Sequence, residues 1–230
     1  MRCAKCHKNE ATIHFTPVVD GEPQKTVPLC EDCRPPLSMR VEAVYRRITP
    51  GEFARFQSDA KAAQSFFNPT PEEMFEQVRH MLEEADNPEK SQAGTQEQEE
   101  VRILLLGTDW HALHFLLTGD GELKPRPLPP PPLGNIVQGG TETPWPCRHG
   151  HIRSLTPDEV RAAADALAGI SVEELRSRFS VASFNAAQIY PYGKGWTDEA
   201  AETVFETYPQ VVKFFQAAAR DGDVILLSSE

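Results

Sequence analysis

Apolar residues change their spacing along the chain, and those changes mark its elements. Val41, Ala43 and Tyr45 alternate with the polar Glu42 and Arg46, which predicts a strand over residues 40–48. Thr49-Pro50-Gly51-Glu52 follows as a helix start: a capping threonine, a proline at the first helical position and a glutamate that reaches back. Phe53, Phe56, Ala60, Ala63 and Phe67 come next at helical spacing. The device returns at Thr70-Pro71-Glu72-Glu73, ahead of Met74, Phe75, Val78 and Leu82. It returns again at Thr156-Pro157-Asp158-Glu159, ahead of Val160, Ala163, Ala164 and Leu167.

The most apolar helix is expected over Thr108–Thr118. Trp110, Leu113, His114 and Leu117 recur there at i, i+3, i+4 and i+7, and Gly119 ends it. Residues 134–140 and 147–154 read as short strands or loop. Ser171-Val-Glu-Glu174 starts another helix, and helices fill much of 180–220. Asp223-Val-Ile-Leu-Leu-Ser closes the chain as a buried strand. Two stretches break the pattern. Residues 83–100 hold seven acids against one lysine, the composition of a flexible acidic loop. Residues 125–132, Pro-Arg-Pro-Leu-Pro-Pro-Pro-Pro, form a Pro-rich loop that is expected to be extended polyproline II.

The first residues follow a different rule. Thr12–Thr16 and Lys25–Val27 read as short strands, with Asp20-Gly21 offering the turn between them. Two Cys-x-x-Cys pairs bracket this hairpin, Cys3 with Cys6 and Cys30 with Cys33. About 35 residues bury too little apolar surface to fold alone. A zinc ion held by four cysteine thiolates can supply the missing stability. Four thiolates fill a tetrahedron and leave no position for water, so the expected zinc is structural. Pro35-Pro36 marks a boundary. The expected organisation is a four-cysteine zinc-ribbon-like module over 1–37 and one larger domain over 38–230.

Charge and composition narrow the partners. The chain carries 23 Lys and Arg against 34 Asp and Glu, a net charge of −11. Such a chain repels phosphate backbones, and Arg46-Arg47 is too short to form a basic patch, so nucleic acid is not the expected partner. No window approaches the apolar run of a membrane span. The opening Met1-Arg-Cys-Ala-Lys-Cys-His-Lys lacks the apolar stretch of a signal peptide. The cytoplasm is therefore expected, where cysteine pairs mean metal more often than disulfide.

Two resemblances follow from particular residues. Cys3-x-x-Cys6, Ala11-Thr12-x-His14-Phe15-Thr16, Gly21 and Leu29-Cys30-x-x-Cys33 resemble the N-terminal zinc module of the McsA-type bacterial kinase activators. That resemblance covers residues 1–33 and implies zinc binding and a protein-docking role. Arg47-Ile-Thr-Pro-Gly-Glu-Phe-Ala, Trp110-His-Ala-Leu-His-Phe-Leu-Leu-Thr-Gly119, Gly134-Asn … Gly139-Gly140, Leu155-Thr-Pro-Asp-Glu-Val160, Ile189-Tyr-Pro191 and Gly222-Asp-Val-Ile-Leu-Leu227 resemble the YfbM-like family of uncharacterised bacterial proteins. This second resemblance spans 38–230 and implies a compact α+β fold, with no established activity. Ser38-Met39-Arg40 stands where such proteins begin, which suggests a zinc module fused to a whole domain.

Other residues carry chemistry with less pattern behind it. His111 and His114 lie three apart on a helix and, with Trp110 and Tyr190, could line a small-molecule pocket of an enzyme. Cys147, His149 and His151 alternate and would share one face of a strand, a second candidate metal or acid–base site. No acid falls at ligand spacing beside these histidines, so His114 is expected to be a core histidine with a local hydrogen-bond partner, and His149 and His151 to be exposed. Gly134 … Gly139-Gly140 lacks the Gly-Lys-Ser/Thr ending of a phosphate loop. The function expected is that of a zinc-binding protein-interaction or adaptor protein, presenting Ile13, Phe15, Val18 and Val19 to a protein partner. An enzyme with a pocket near His111 and His114 is the alternative, and a thiol redox sensor is a further one.

Overall fold

The computed structural model of the chain describes residues 2–4, 6, 8–15, 18–19, 22–23, 26–30, 41–67, 72, 79, 101–122, 128–191 and 195–230. The chain divides into two compact units, Met1–Arg40 and Val41–Glu230.

In the first unit, β1 (Ile13–Phe15) pairs antiparallel with β4 (Val27–Leu29), and β2 (Val18–Val19) with β3 (Glu22–Pro23). The second main strand lies two residues later than expected, because Phe15 stands opposite Val27 and Ile13 opposite Leu29. The turn expected at Asp20-Gly21 lies outside the described residues.

The second unit is built on a five-stranded antiparallel sheet in the order β6-β5-β9-β8-β7. Its strands are β5 (Ala43–Ile48), β6 (Ile103–Gly107), β7 (Thr141–Cys147), β8 (Gly150–Leu155) and β9 (Val224–Ser229). The last strand of the chain occupies the centre, so both its faces are covered and Val224–Ser228 are all buried. That accounts for its unbroken apolar run. Mixed helix and sheet confirm the α+β class.

Seven α-helices are present among the described residues. α1 (Pro50–Ser58) and α2 (Ala60–Phe67) contact one face of the sheet. α3 (Trp110–Thr118), α4 (Pro157–Ala168), α5 (Val172–Ser177), α6 (Val181–Ala186) and α7 (Asp198–Asp221) build the main core on the other. Tyr45 of β5, fully buried in that core, donates its hydroxyl to the Ile136 carbonyl at 2.7 Å. Tyr208 of α7 donates to the Leu167 and Ile170 carbonyls at the end of α4, both at 3.0 Å.

The capping boxes at Thr49 and Thr156 form as the sequence predicts, with both reciprocal hydrogen bonds in each. The helix expected to run unbroken through Phe67 does not. Asp59 is extended and its Oδ1 accepts from the Lys61 and Ala62 N–H groups, which starts α2 afresh. The helix expected from Thr70 falls outside the described residues except Glu72 and Arg79, both helical and exposed. The acidic stretch 83–100 also lies outside them. The extended Pro-rich stretch ends sooner than expected: Pro132 has φ −84° and ψ −24°, and a 3₁₀ turn follows over Leu133–Asn135. Gly134 is required there, since a Cβ would stand 1.9 Å from the Pro129 carbonyl oxygen. Residues 141–147 and 150–155 form a hairpin in place of the loop or short strands expected around them. No described helix is long and apolar enough to cross a membrane.

Candidate metal centre and buried histidines

The cysteines are brought together by backbone geometry. The loop after Cys3 folds back so that the Cys3 N–H donates to the Asn9 carbonyl at 3.0 Å, and Arg2 bridges Glu10. The Ala4 N–H then reaches the Pro28 carbonyl in β4 at 2.8 Å. That bond ties the first knuckle to the strand that ends just before Cys30. As a result the sulfurs of Cys3, Cys6 and Cys30 all lie within 4.8 Å of one another. Cys6 Sγ and Cys30 Sγ are 3.7 Å apart. A disulfide needs about 2.05 Å. Four sulfurs around one zinc, each about 2.3 Å from it, stand about 3.8 Å apart. The spacing therefore suits ligands to a shared ion. Cys33, the expected fourth ligand, lies outside the described residues.

Burial points the same way. Cys3 is 0% and Cys30 3% exposed, and the cluster they form has only Cys6 and Val27 packed against it among the described residues. The donor set fits zinc, and three of the four expected ligands are close enough to hold one ion.

The second set of predicted residues also converges, but its polar atoms are used by the fold. α3 is covered nearly all round. His111 is buried as fully as His114, beyond the single face that the spacing predicted. His111 Nδ1 accepts from the Tyr190 N–H at 2.8 Å, and Nε2 stands 3.1 Å from the Gly121 carbonyl. A carbonyl accepts only, so Nε2 carries the proton and the ring is neutral. Burial pushes its pKa down to about 4. The Trp110 ring stacks on Tyr190 with centroids 5.7 Å apart, and its indole N–H donates to the Val41 carbonyl at 2.9 Å. The Val41 N–H in turn donates to the Tyr190 hydroxyl at 3.0 Å. These residues thus fasten the residue where the domain begins. His114 is fully buried, with Nε2 3.8 Å from the Asp120 carboxylate.

Cys147, His149 and His151 do not share a strand face. Cys147 ends β7 and His151 lies in β8, with Arg148-His149 turning between them, and Cys147 pairs with Gly150. Among the described residues the only group of three or more ligand atoms that could hold an ion is Cys3, Cys6 and Cys30. The second metal site weighed from these histidines is not formed.

Three features escaped the sequence reading. A cavity of about 370 Å³ lies between α2 and β7, lined by Ala60, Ala63, Gln64, Phe67 and Pro144-Trp145-Pro146. Trp145 there meets Phe53, Phe56 and Phe67 at centroid distances of 5.2–6.1 Å. Arg47, read as part of a short basic pair, is 4% exposed and donates from Nε to Asp223 at 3.0 Å, with Asp221 as a second partner. Asp109, which opens α3, accepts from Thr203 and Thr207 of α7, and burial raises its pKa. Only the crowding of aromatics at Phe53–Phe67 and in Pro144-Trp-Pro146 hinted at the first. The other two join residues far apart in the chain.

The unit from Val41 is thus an antiparallel α+β domain in which His111 and Trp110 bond to its own backbone. The chain belongs to the family described as a domain of unknown function, DUF1877, whose model matches residues 39–228. This agrees with the family expected from the motifs between Arg47 and Leu227. Among solved structures, the chain is similar to YfbM from Escherichia coli, described as a protein of unknown function. The identity is 20%, the match covers 82% of this chain and 99% of that one, and the TM-score is 0.49. None of the curated proteins matches.

Proposed function

We propose that this is a zinc-binding adaptor: Cys3, Cys6, Cys30 and Cys33 hold one structural zinc, and the hairpin so fixed docks onto another protein in a reducing compartment such as the cytoplasm. The observation that carries the reading is the thiol cluster, three sulfurs within 4.8 Å of one another, with Cys3 and Cys30 buried. The likeness of residues 1–33 to McsA-type zinc modules supports it. Zinc bound there supplies folding free energy, an apparent ~10–16 kcal/mol in small zinc modules. Ile13, Phe15, Val18 and Val19 belong to β1 and β2, which the closed cluster would hold in register. The enzyme alternative centred on Trp110, His111, His114 and Tyr190 has less behind it, since both His111 nitrogens already serve backbone groups.

Metal analysis of the purified full chain tests this directly. One zinc per chain is expected, lost in Cys30→Ser. A protein partner captured by the wild type should be released in the same variant, while residues 41–230 stay folded by circular dichroism. A Cys30→Ser chain that keeps its zinc, or keeps the partner without zinc, overturns the proposal.

A further inference from the structure

The sheet has two outer strands, and among the described residues only one is closed to further pairing. β7 carries Pro144 and Pro146, which remove two backbone donors from that edge. β6, Ile103-Leu-Leu-Leu-Gly107, has neither proline nor charge. Its register fixes where its backbone groups point. The Arg102 carbonyl accepts from the Arg47 N–H at 2.8 Å, and Leu104 stands opposite Tyr45, so residues 102 and 104 turn theirs toward β5. Ile103 and Leu105 turn theirs outward, where no strand meets them among the described residues.

The side chains of the same stretch are also uncovered. Leu104 and Leu106 enter the main core. Val101, Ile103 and Leu105 lie on the other face at 64%, 52% and 67% exposure, an unbroken apolar stripe. A stripe and an open edge together form a template for another strand.

We propose that β6 is the contact between two copies of this chain, paired antiparallel about a twofold axis at Leu104. With Leu104 opposite itself, Ile103 faces the partner's Leu105 and Leu105 the partner's Ile103. Their outward N–H and C=O groups then meet in hydrogen-bonded pairs. The stripe Val101, Ile103, Leu105 runs on into its own copy, as a twofold contact requires. Charge favours this stretch over others: a chain of net charge −11 repels its copy, so the contact needs residues without charge, and β6 has none. Two strands of this length bury less than the roughly 1,200 Å² of a stable interface, so the dimer is reversible, with a Kd in the micromolar range. Added salt screens the repulsion and strengthens it.

Sedimentation of the full chain under reducing conditions, from about 1 to about 200 µM, tests this. The wild type should pass from monomer to dimer, more readily at higher salt. Leu105→Lys should weaken the dimer at least tenfold. That change reduces the net negative charge, so weakening cannot come from added long-range repulsion, and an unchanged melting curve shows that the fold is kept. A wild type that stays monomeric, or a Leu105→Lys chain that dimerises as well, overturns the proposal. Monomeric wild type with β6 amides protected from exchange would mean that this chain's own residues cover the edge, and that also overturns it.

Discussion

The two units of this chain differ in what their described residues bury. Val41–Glu230 buries a large apolar core and satisfies its polar groups with long-range hydrogen bonds. Among its described residues Met1–Arg40 buries Cys3 and Cys30, with Cys6 and Val27 packed against them. A core is distributed over many residues, so losing one contact weakens it by degrees. The proposed four-ligand zinc site would be concentrated, so losing one ligand would remove most of what holds the unit. The sharpest way to break this comparison is chelation. Zinc removal should collapse the dispersed amide signals of residues 1–40 and leave the melting of the larger unit in place. Coincident loss of both units would show that one core serves the whole chain.

The larger unit has a concentrated point of its own. Arg47 is buried between Asp223 and Asp221 and clamps the turn from α7 to β9 onto β5. Arg47→Ala leaves the Asp223 carboxylate buried without its cation and should cost about 3–5 kcal/mol. In urea the midpoint should fall with an unchanged slope. The double variant Arg47→Met/Asp223→Leu removes both charges and should recover much of that loss. No recovery would show that the arginine acts through packing rather than charge.

His111 distinguishes the units by pH. Its folded pKa of about 4 lies below the unfolded value of 6.5, because burial favours the neutral ring. The folded state therefore binds the proton less well than the unfolded one. Its contribution is complete above pH 6.5 and is lost as the pH falls toward 4, by an amount on the order of 3 kcal/mol. Denaturation of wild type and His111→Gln across this range should show their stability difference shrinking on the acid side. A constant difference would mean that the ring takes up its proton equally well in the folded and unfolded states.

Much of this was legible from residues that act locally. Thr49, Thr156 and Ser171 cap their helices within one turn, and Gly119 ends α3 in the left-handed region with φ 76°. The cysteine cluster was legible as far as Cys3, Cys6 and Cys30, since paired spacing reflects what one ion needs. Other features depend on neighbours that no window contains. Arg47 and Asp223 are 176 residues apart. β7 was obscure because its two prolines argue against a strand, and only its place at the sheet edge permits them. The burial of His111 followed from packing on every side of α3, which periodicity along one face does not report. Asp59 broke a regular apolar spacing by capping the next helix, a local signal hidden beneath a stronger one.

The smallest expected effect tests how far the core unit spreads its losses. Thr156 caps α4 from an exposed position: the Glu159 N–H donates to its hydroxyl at 3.4 Å, and its own N–H donates to the Glu159 carboxylate at 2.8 Å. Val160, Ala163, Ala164 and Leu167 anchor the same helix in the core. Thr156→Ala removes one partner of the exposed first turn and touches none of the anchors, so the cost should be about 1 kcal/mol. Thr156→Gly should cost only a few tenths, because an open backbone lets water reach the orphaned N–H groups. Both should unfold in a single transition with the wild-type slope. A broadened transition for Thr156→Ala would show that α4 can leave the core separately, and that the contrast between a distributed unit and a concentrated one is less sharp than the packing implies.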